Sequence, residues 1–201
     1  MDSTAKSSKP AWRDRMQAHR RQVAPEARAA AGQRVCARLL AWPPLPRGAC
    51  IASYISLPTE LPTEAVHEGL VGMACSIAVP AWSAAEHRYR FAAWQPGEAL
   101  AAGPMHVPEP AVKRWVATGT IACFLVPGLA FDHQGGRIGH GAGFYDRLLA
   151  TRAPESLCVA IGYDWQLVDD DLPQSAHDVR MDWIITPERT IRTAIRLGFI
   201  R

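Results

Sequence analysis

Between Val126 and Leu149 the chain reads VPGLAFDHQGGRIGHGAGFYDRLL, setting glycines, arginines and a carboxylate between an apolar run and the start of a helix. Those residue types at that spacing suit phosphate binding. Glycines at 135, 136, 139, 141 and 143 permit positive φ angles, so successive N–H groups can turn inward and form a nest for an anion. Gly139, Gly141 and Gly143 matter most, because a helix expected from the next residues would turn its positive end toward the same anion. Arg137 lies inside the loop, where a guanidinium grips phosphate oxygens through two parallel hydrogen bonds. Arg147 falls within the helix, where solvation or pairing with a carboxylate is the commoner fate. Asp146 would repel a bound polyphosphate unless a cation stands between them. Mg²⁺ resolves that conflict, since it is held by one or two protein carboxylates together with phosphates and waters.

The elements that must position this loop are legible on both sides. An apolar run at 121–126 has strand length, and Tyr145, Leu148 and Leu149 fit the inner stripe of a helix over 143–151. The loop is not a Walker motif, because no Gly-Lys-Ser/Thr follows, nor a dinucleotide fingerprint, because the third glycine is displaced. Other strand-like runs fall at 50–56, 75–81, 88–93, 120–126, 158–163 and 183–186, with a helix over 64–73. Two helices precede them, over 11–22 and 25–40, the second with Pro25 in its first turn. This alternation predicts an α/β fold: a mostly parallel sheet flanked by helices on both faces, in three layers, with two N-terminal helices. Nucleotides bind such sheets at the carboxyl ends of their strands. The proline-rich stretches 42–46 and 104–110 read as connectors, residues 1–8 as a frayed polar terminus, and 9–201 as one domain.

Composition narrows the function class. A net charge of +3 is mild, and no Lys/Arg block is long enough for a nucleic-acid footprint, so a small anionic ligand suffices. The five cysteines are scattered, odd in number and never in a C-x-x-C pair, which predicts reduced core residues rather than disulfides or zinc. No apolar stretch reaches the length of a membrane span and no signal-peptide core follows the start. A cytoplasmic monomer without membrane or nucleic-acid partners is expected.

The loop also has a family likeness. It resembles the 5-formyltetrahydrofolate cyclo-ligases, or methenyltetrahydrofolate synthetases, whose signature is close to PG-x-x-FD-x-x-G-x-R-[LI]-G-x-G-x-G-[YF]-YD, and nearly every fixed position is filled. The likeness extends to Lys9 and Arg13, to YISLPTEL from Tyr54 to Leu61, and to the stretch from Gly162 to Glu188. The resemblance implies ATP as co-substrate, contacted by Lys9, Arg13, Arg137, Ile138, Gly139, His140, Gly141, Ala142, Gly143, Phe144 and Tyr145. It implies Mg²⁺ on Asp146 and Asp178, and a reduced folate against Ile55, Glu60 and the loop from His140 to Phe144. Lys9 and Arg13, four apart, would share one helical face. Glu60 suits a pterin, whose amino and ring N–H groups a carboxylate accepts in bidentate fashion, while Ile55 packs on the ring. Trp82 and Tyr89 are candidates for stacking, or partial core residues. Arg137 and Tyr145 are the catalytic candidates, with Tyr145 either bonding a phosphate or packing.

The implied reaction is ATP-dependent closure of 5-formyltetrahydrofolate to 5,10-methenyltetrahydrofolate, with ADP and phosphate released. Where relatives carry glycine or lysine this chain has Ala142, which would be strained by roughly 1 kcal/mol if its φ had to be positive. Two other classes remain: an ATP-independent phosphosugar isomerase or acyl-CoA transferase on a related sheet, and a binder of folate or nucleotide that has lost turnover.

Overall fold

A computed structural model describes residues 8–104 and 107–194. The expected N-terminal fraying at 1–8 therefore lies outside the described residues except for Ser8, whose hydroxyl accepts the Ala11 N–H (3.4 Å) at the start of helix α1, Lys9–Gln22. Helix α2, Pro25–Leu40, begins on its proline as expected. The chain then lays down strand β1 (Cys50–Ala52), helix α3 (Glu64–Gly72), and strands β2 (Ser76–Ser83) and β3 (Arg88–Trp94). After β6 (Arg114–Val116) come β7 (Cys123–Val126), β10 (Leu157–Ile161), β12 (Trp183–Ile185) and β13 (Thr190–Arg192). These form one eight-stranded sheet in the order β13-β12-β10-β7-β1-β2-β3-β6. Neighbours from β12 through β2 pair in parallel, and the outer pairings are antiparallel.

Alternation of side chains explains how the sheet is covered. Ile51, Val79, Leu125, Val159 and Ile185 point to one side, where Val35 and Leu39 of α2 and Val66 and Leu70 of α3 bury them. Ala52, Ala78, Phe124, Cys158 and Ala160 point to the other side. That face carries a thinner cover than three equal layers would give. Helix α4 (Phe144–Leu149) has six residues and contributes Leu148 and Leu149, with Phe131 packed beside them.

A second, smaller sheet intervenes between β7 and the glycine loop. Strands β8 (Ala130–Asp132) and β9 (Arg137–Ile138) form a hairpin, with β11 (Leu167–Val168) on the far side of β8. The expected order of strand, glycine loop and helix is thus interrupted by a tight turn at Gly135, whose φ is +80°. Helix α1 docks on this hairpin through Trp12 and Met16, which pack with Leu129, Ala130 and Ile138. The 104–110 stretch is more than a connector: β5 (Pro108–Pro110) pairs with β4 (Leu100–Ala102). Glu109 secures that hairpin, accepting the Trp82 N–H (2.7 Å) and pairing with Lys113 at 2.6 Å. All five cysteines are free thiols.

Candidate active site

The sheet sets the site. From β1 the chain proceeds to β2 on one side, whereas from β7 it proceeds to β10 and β12 on the other, which makes the β1/β7 boundary a topological switch point. Just beyond the carboxyl ends of these two strands, Tyr54, Ile55 and Pro127 border a pocket of about 390 Å³. The glycine loop supplies a second wall and α1 a third. Of the site residues nominated from sequence, Lys9, Arg13, Ile55, Glu60, Tyr89, the run Arg137 to Asp146, and Asp178 lie on it, and Trp82 does not.

Asp132 shapes the loop. This buried carboxylate accepts N–H groups from Gln134 (2.9 Å), Gly136 (2.7 Å) and Leu172 (2.8 Å), fixing the turn that delivers Arg137. Sequence reading gave Asp132 no role, although its place in the signature was visible. The loop then turns at Gly141 (φ +111°) and Gly143 (φ +59°), with Gly143 capping α4. Ala142 has no positive φ, so the strain anticipated there is absent. Arg13 donates from Nε to the Gly139 carbonyl oxygen (3.0 Å), tying the loop to α1.

Charge in the pocket is arranged in pairs. Arg137 donates from Nη2 to Asp146 Oδ1 (2.9 Å), and the same oxygen accepts the Val179 N–H (3.0 Å). The Arg137 Nε is buried with no hydrogen-bond partner among the described residues. Lys9 pairs with Asp178, whose Oδ2 also accepts the Ser175 N–H (2.7 Å). Burial alone would raise the Asp178 carboxyl, but the Lys9 hydrogen bond, the Ser175 amide and the Lys9 and Arg137 charges outweigh it and hold it below its ordinary value. Asp178 is thus kept ionised beside Lys9, and Asp146 is paired with Arg137. Among the described residues no three His, Cys, Asp or Glu side chains gather into a full protein cage. A pair of carboxylates with Asp146 Oδ2 uncommitted among the described residues fits Mg²⁺ completed by phosphate and water, and suits an all-protein site poorly.

Also on the pocket, Glu60 is buried. Its Oε2 accepts the Leu57 N–H (3.0 Å), and its Oε1 lies 3.5 Å from Arg20 Nη1 and 3.5 Å from His140 Nε2. Arg20 was missed because a helical arginine amid other basic residues reads as a solvated charge. Trp82 and Tyr89 separate here: Tyr89 lines the pocket and meets Phe144 edge-on at 4.1 Å, while Trp82 packs behind Tyr89. Burial, reinforced by the Glu60 carboxylate and opposed by Arg137, pushes the Tyr145 phenol well up. Tyr145 can therefore donate a hydrogen bond but cannot serve as a base near neutral pH.

Residues 5–187 match the model of the 5-formyltetrahydrofolate cyclo-ligase family. The chain belongs to that family. Among its relatives, the Escherichia coli K12 5-formyltetrahydrofolate cyclo-ligase is 28% identical over 176 residues, which cover 85% of this chain and 95% of the relative. The Mycolicibacterium smegmatis 5-formyltetrahydrofolate cyclo-ligase is 40% identical over 103 residues, covering 49% of this chain and 50% of that protein. The solved 5,10-methenyltetrahydrofolate synthetase of Aquifex aeolicus shares the fold with a TM-score of 0.77 at 23% identity, covering 94% of each chain. This cyclo-ligase family member holds its two candidate metal carboxylates and its candidate pterin carboxylate in one cavity, bridged by the glycine loop. No helix among the described residues is long and apolar enough to cross a membrane.

Proposed function

We propose that this chain closes 5-formyltetrahydrofolate to 5,10-methenyltetrahydrofolate at the expense of ATP. The observation that carries the reading is convergence: the cations, the glycine loop, the two aspartates and Glu60 come from distant parts of the sequence and border one pocket. Folate family membership supplies the substrate class.

The chemistry asks for such a site. An amide-like formyl oxygen is a poor leaving group. Its attack on the γ-phosphorus of ATP forms an O–P bond as the bond to ADP breaks, giving an imidate phosphate. Nitrogen 10 then attacks the former formyl carbon, its proton passes to solvent, and phosphate departs with the C–O bonding pair. Phosphoryl transfer needs in-line positioning and compensation of charge more than covalent help. Lys9, Arg13 and Arg137 supply positive charge, and the loop from Ile138 through Gly143 brings backbone N–H groups to the terminal phosphates. Arg137 carries the chief catalytic role, because charge that develops on the transferring group meets a guanidinium already fixed by Asp146. Tyr145, protonated, donates to a phosphate oxygen. Asp146 and Asp178 would hold Mg²⁺, which would neutralise phosphate charge. Glu60 accepts the pterin's donors while Ile55, Tyr89 and Phe144 enclose its rings.

The test is direct. Purified protein given 5-formyltetrahydrofolate and MgATP develops the near-ultraviolet absorption of the methenyl product, and develops none without ATP. A folded protein that binds the folate without turnover, or that reacts equally well without ATP, overturns the proposal.

A further inference from the structure

Helix α1 carries three cations toward the pocket, and only two belong to its phosphate end. Lys9 meets Asp178 and Arg13 meets the Gly139 carbonyl, whereas Arg20 reaches Glu60. Spacings of four and seven residues keep all three on one helical face, and eleven residues at the helical rise carry that face roughly 16 Å along the site. Helix α1 is anchored at this end too, where His19 stacks on Trp165 with ring centroids 4.1 Å apart.

Arg20 and Glu60 are both buried, with side-chain exposures of 6% and 8%. A buried carboxylate stays charged only with a countercharge or several hydrogen bonds, and removing one member of such a pair leaves the other uncompensated. Around the Glu60 carboxylate stand the Leu57 amide, the half-exposed His140 and Arg20. Arg20 is the one permanently charged group among them. The Tyr163 hydroxyl, which donates to the Glu60 carbonyl oxygen (3.0 Å), fixes the backbone but not the carboxylate.

We infer that Arg20 is a positioning residue for folate recognition: it holds the Glu60 carboxylate in place and aimed at the pterin without itself touching substrate. The inference rests on the proposed role of Glu60 and adds a residue to it. Arg20 thus sets folate affinity separately from the cations that serve the phosphates.

A double-mutant cycle on the purified enzyme tests this. Arg20→Met raises the KM for 5-formyltetrahydrofolate roughly tenfold or more, with the KM for ATP and the kcat at saturation unchanged. Arg20→Lys restores part of the loss. In a Glu60→Gln background, Arg20→Met adds no further rise in folate KM, since no charge remains to be positioned. That double variant leaves neither buried charge unpaired, so it reports even if Arg20→Met alone folds poorly. The inference is overturned if Arg20→Met shifts the KM for ATP instead, if it raises folate KM as much in the Glu60→Gln background, or if Glu60→Gln raises folate KM and Arg20→Met does not. An unchanged folate KM in Glu60→Gln overturns the reading of Glu60 beneath it.

Discussion

Two aspartates of the same signature do opposite work, and single substitutions separate them. Asp132 spends both carboxylate oxygens on three backbone N–H groups, two in the turn before Arg137 and one at Leu172. Alanine there would strand buried donors, at a cost of about 3 to 5 kcal/mol. We predict that Asp132→Ala moves the denaturant midpoint far down and takes activity with it in proportion to the protein unfolded. Asp146, by contrast, leaves Oδ2 uncommitted among the described residues at the pocket wall, and asparagine retains an oxygen for Arg137 and the Val179 amide. Asp146→Asn is therefore predicted to leave the midpoint nearly unchanged while raising the magnesium concentration for half activity at least about tenfold, since even indirect partners of a metal are worth that much. Identical magnesium titrations for variant and wild type would remove Asp146 from the metal site. Sequence reading found Asp146 because a carboxylate beside a glycine nest needs a cation. It passed over Asp132 because a carboxylate that only organises backbone has no chemical partner to announce it.

The elements show where sequence pattern carries information and where it stops. Strands β2, β3, β7, β10 and β12 were legible as apolar runs because most of them are buried on both faces, and α2 was bounded by its own proline. The two- and three-residue strands β4, β5, β8, β9 and β11 are too short for any periodicity to register, although β8 and β9 deliver Arg137 and β5 walls the pocket. Lys9 and Arg13 were found through the family resemblance, with their four-residue spacing in support, and Arg20 was lost in a helix rich in arginine. Glycine roles, too, needed coordinates to separate. At buried Gly135, φ is +80° and an added Cβ would stand 2.4 Å from the Met181 carbonyl oxygen. At exposed Gly141, φ is +111° and the nearest obstacle is the flexible Arg13 guanidinium, 3.3 Å away. We predict that Gly135→Ala destabilises the fold by more than about 2 kcal/mol, read as a lowered thermal midpoint. Gly141→Ala should cost roughly 1 to 2 kcal/mol locally and appear chiefly as a raised KM for ATP, because the loop that presents amides to phosphate must shift. Equal midpoints for the two variants would refute this division between scaffold and site.

For the molecule as a whole, the packing of α3 against the sheet predicts how stability depends on pH. His67 of α3 is buried, its Nε2 lies 2.9 Å from Ser53 Oγ, and its ring meets Trp94 edge-on at 5.2 Å. Burial lowers its pKa from 6.5 to about 4, a shift only partly opposed by a backbone hydrogen bond at Tyr54. The folded state thus binds this proton more weakly than the unfolded chain does. Stability from the neutral imidazole is fully present above pH 6.5 and is lost as pH falls toward 4, where the unfolded state takes up the proton first. The full shift corresponds to an upper figure of about 3 kcal/mol. His67→Gln keeps a polar side chain near Ser53 but cannot titrate, so its unfolding free energy should be flatter than that of wild type between pH 6.5 and 4. Carboxylates common to both proteins cancel in the difference between them. Parallel stability curves across that window would show that His67 carries its proton inside the fold, and that the sheet and α3 tolerate a charge at their interface.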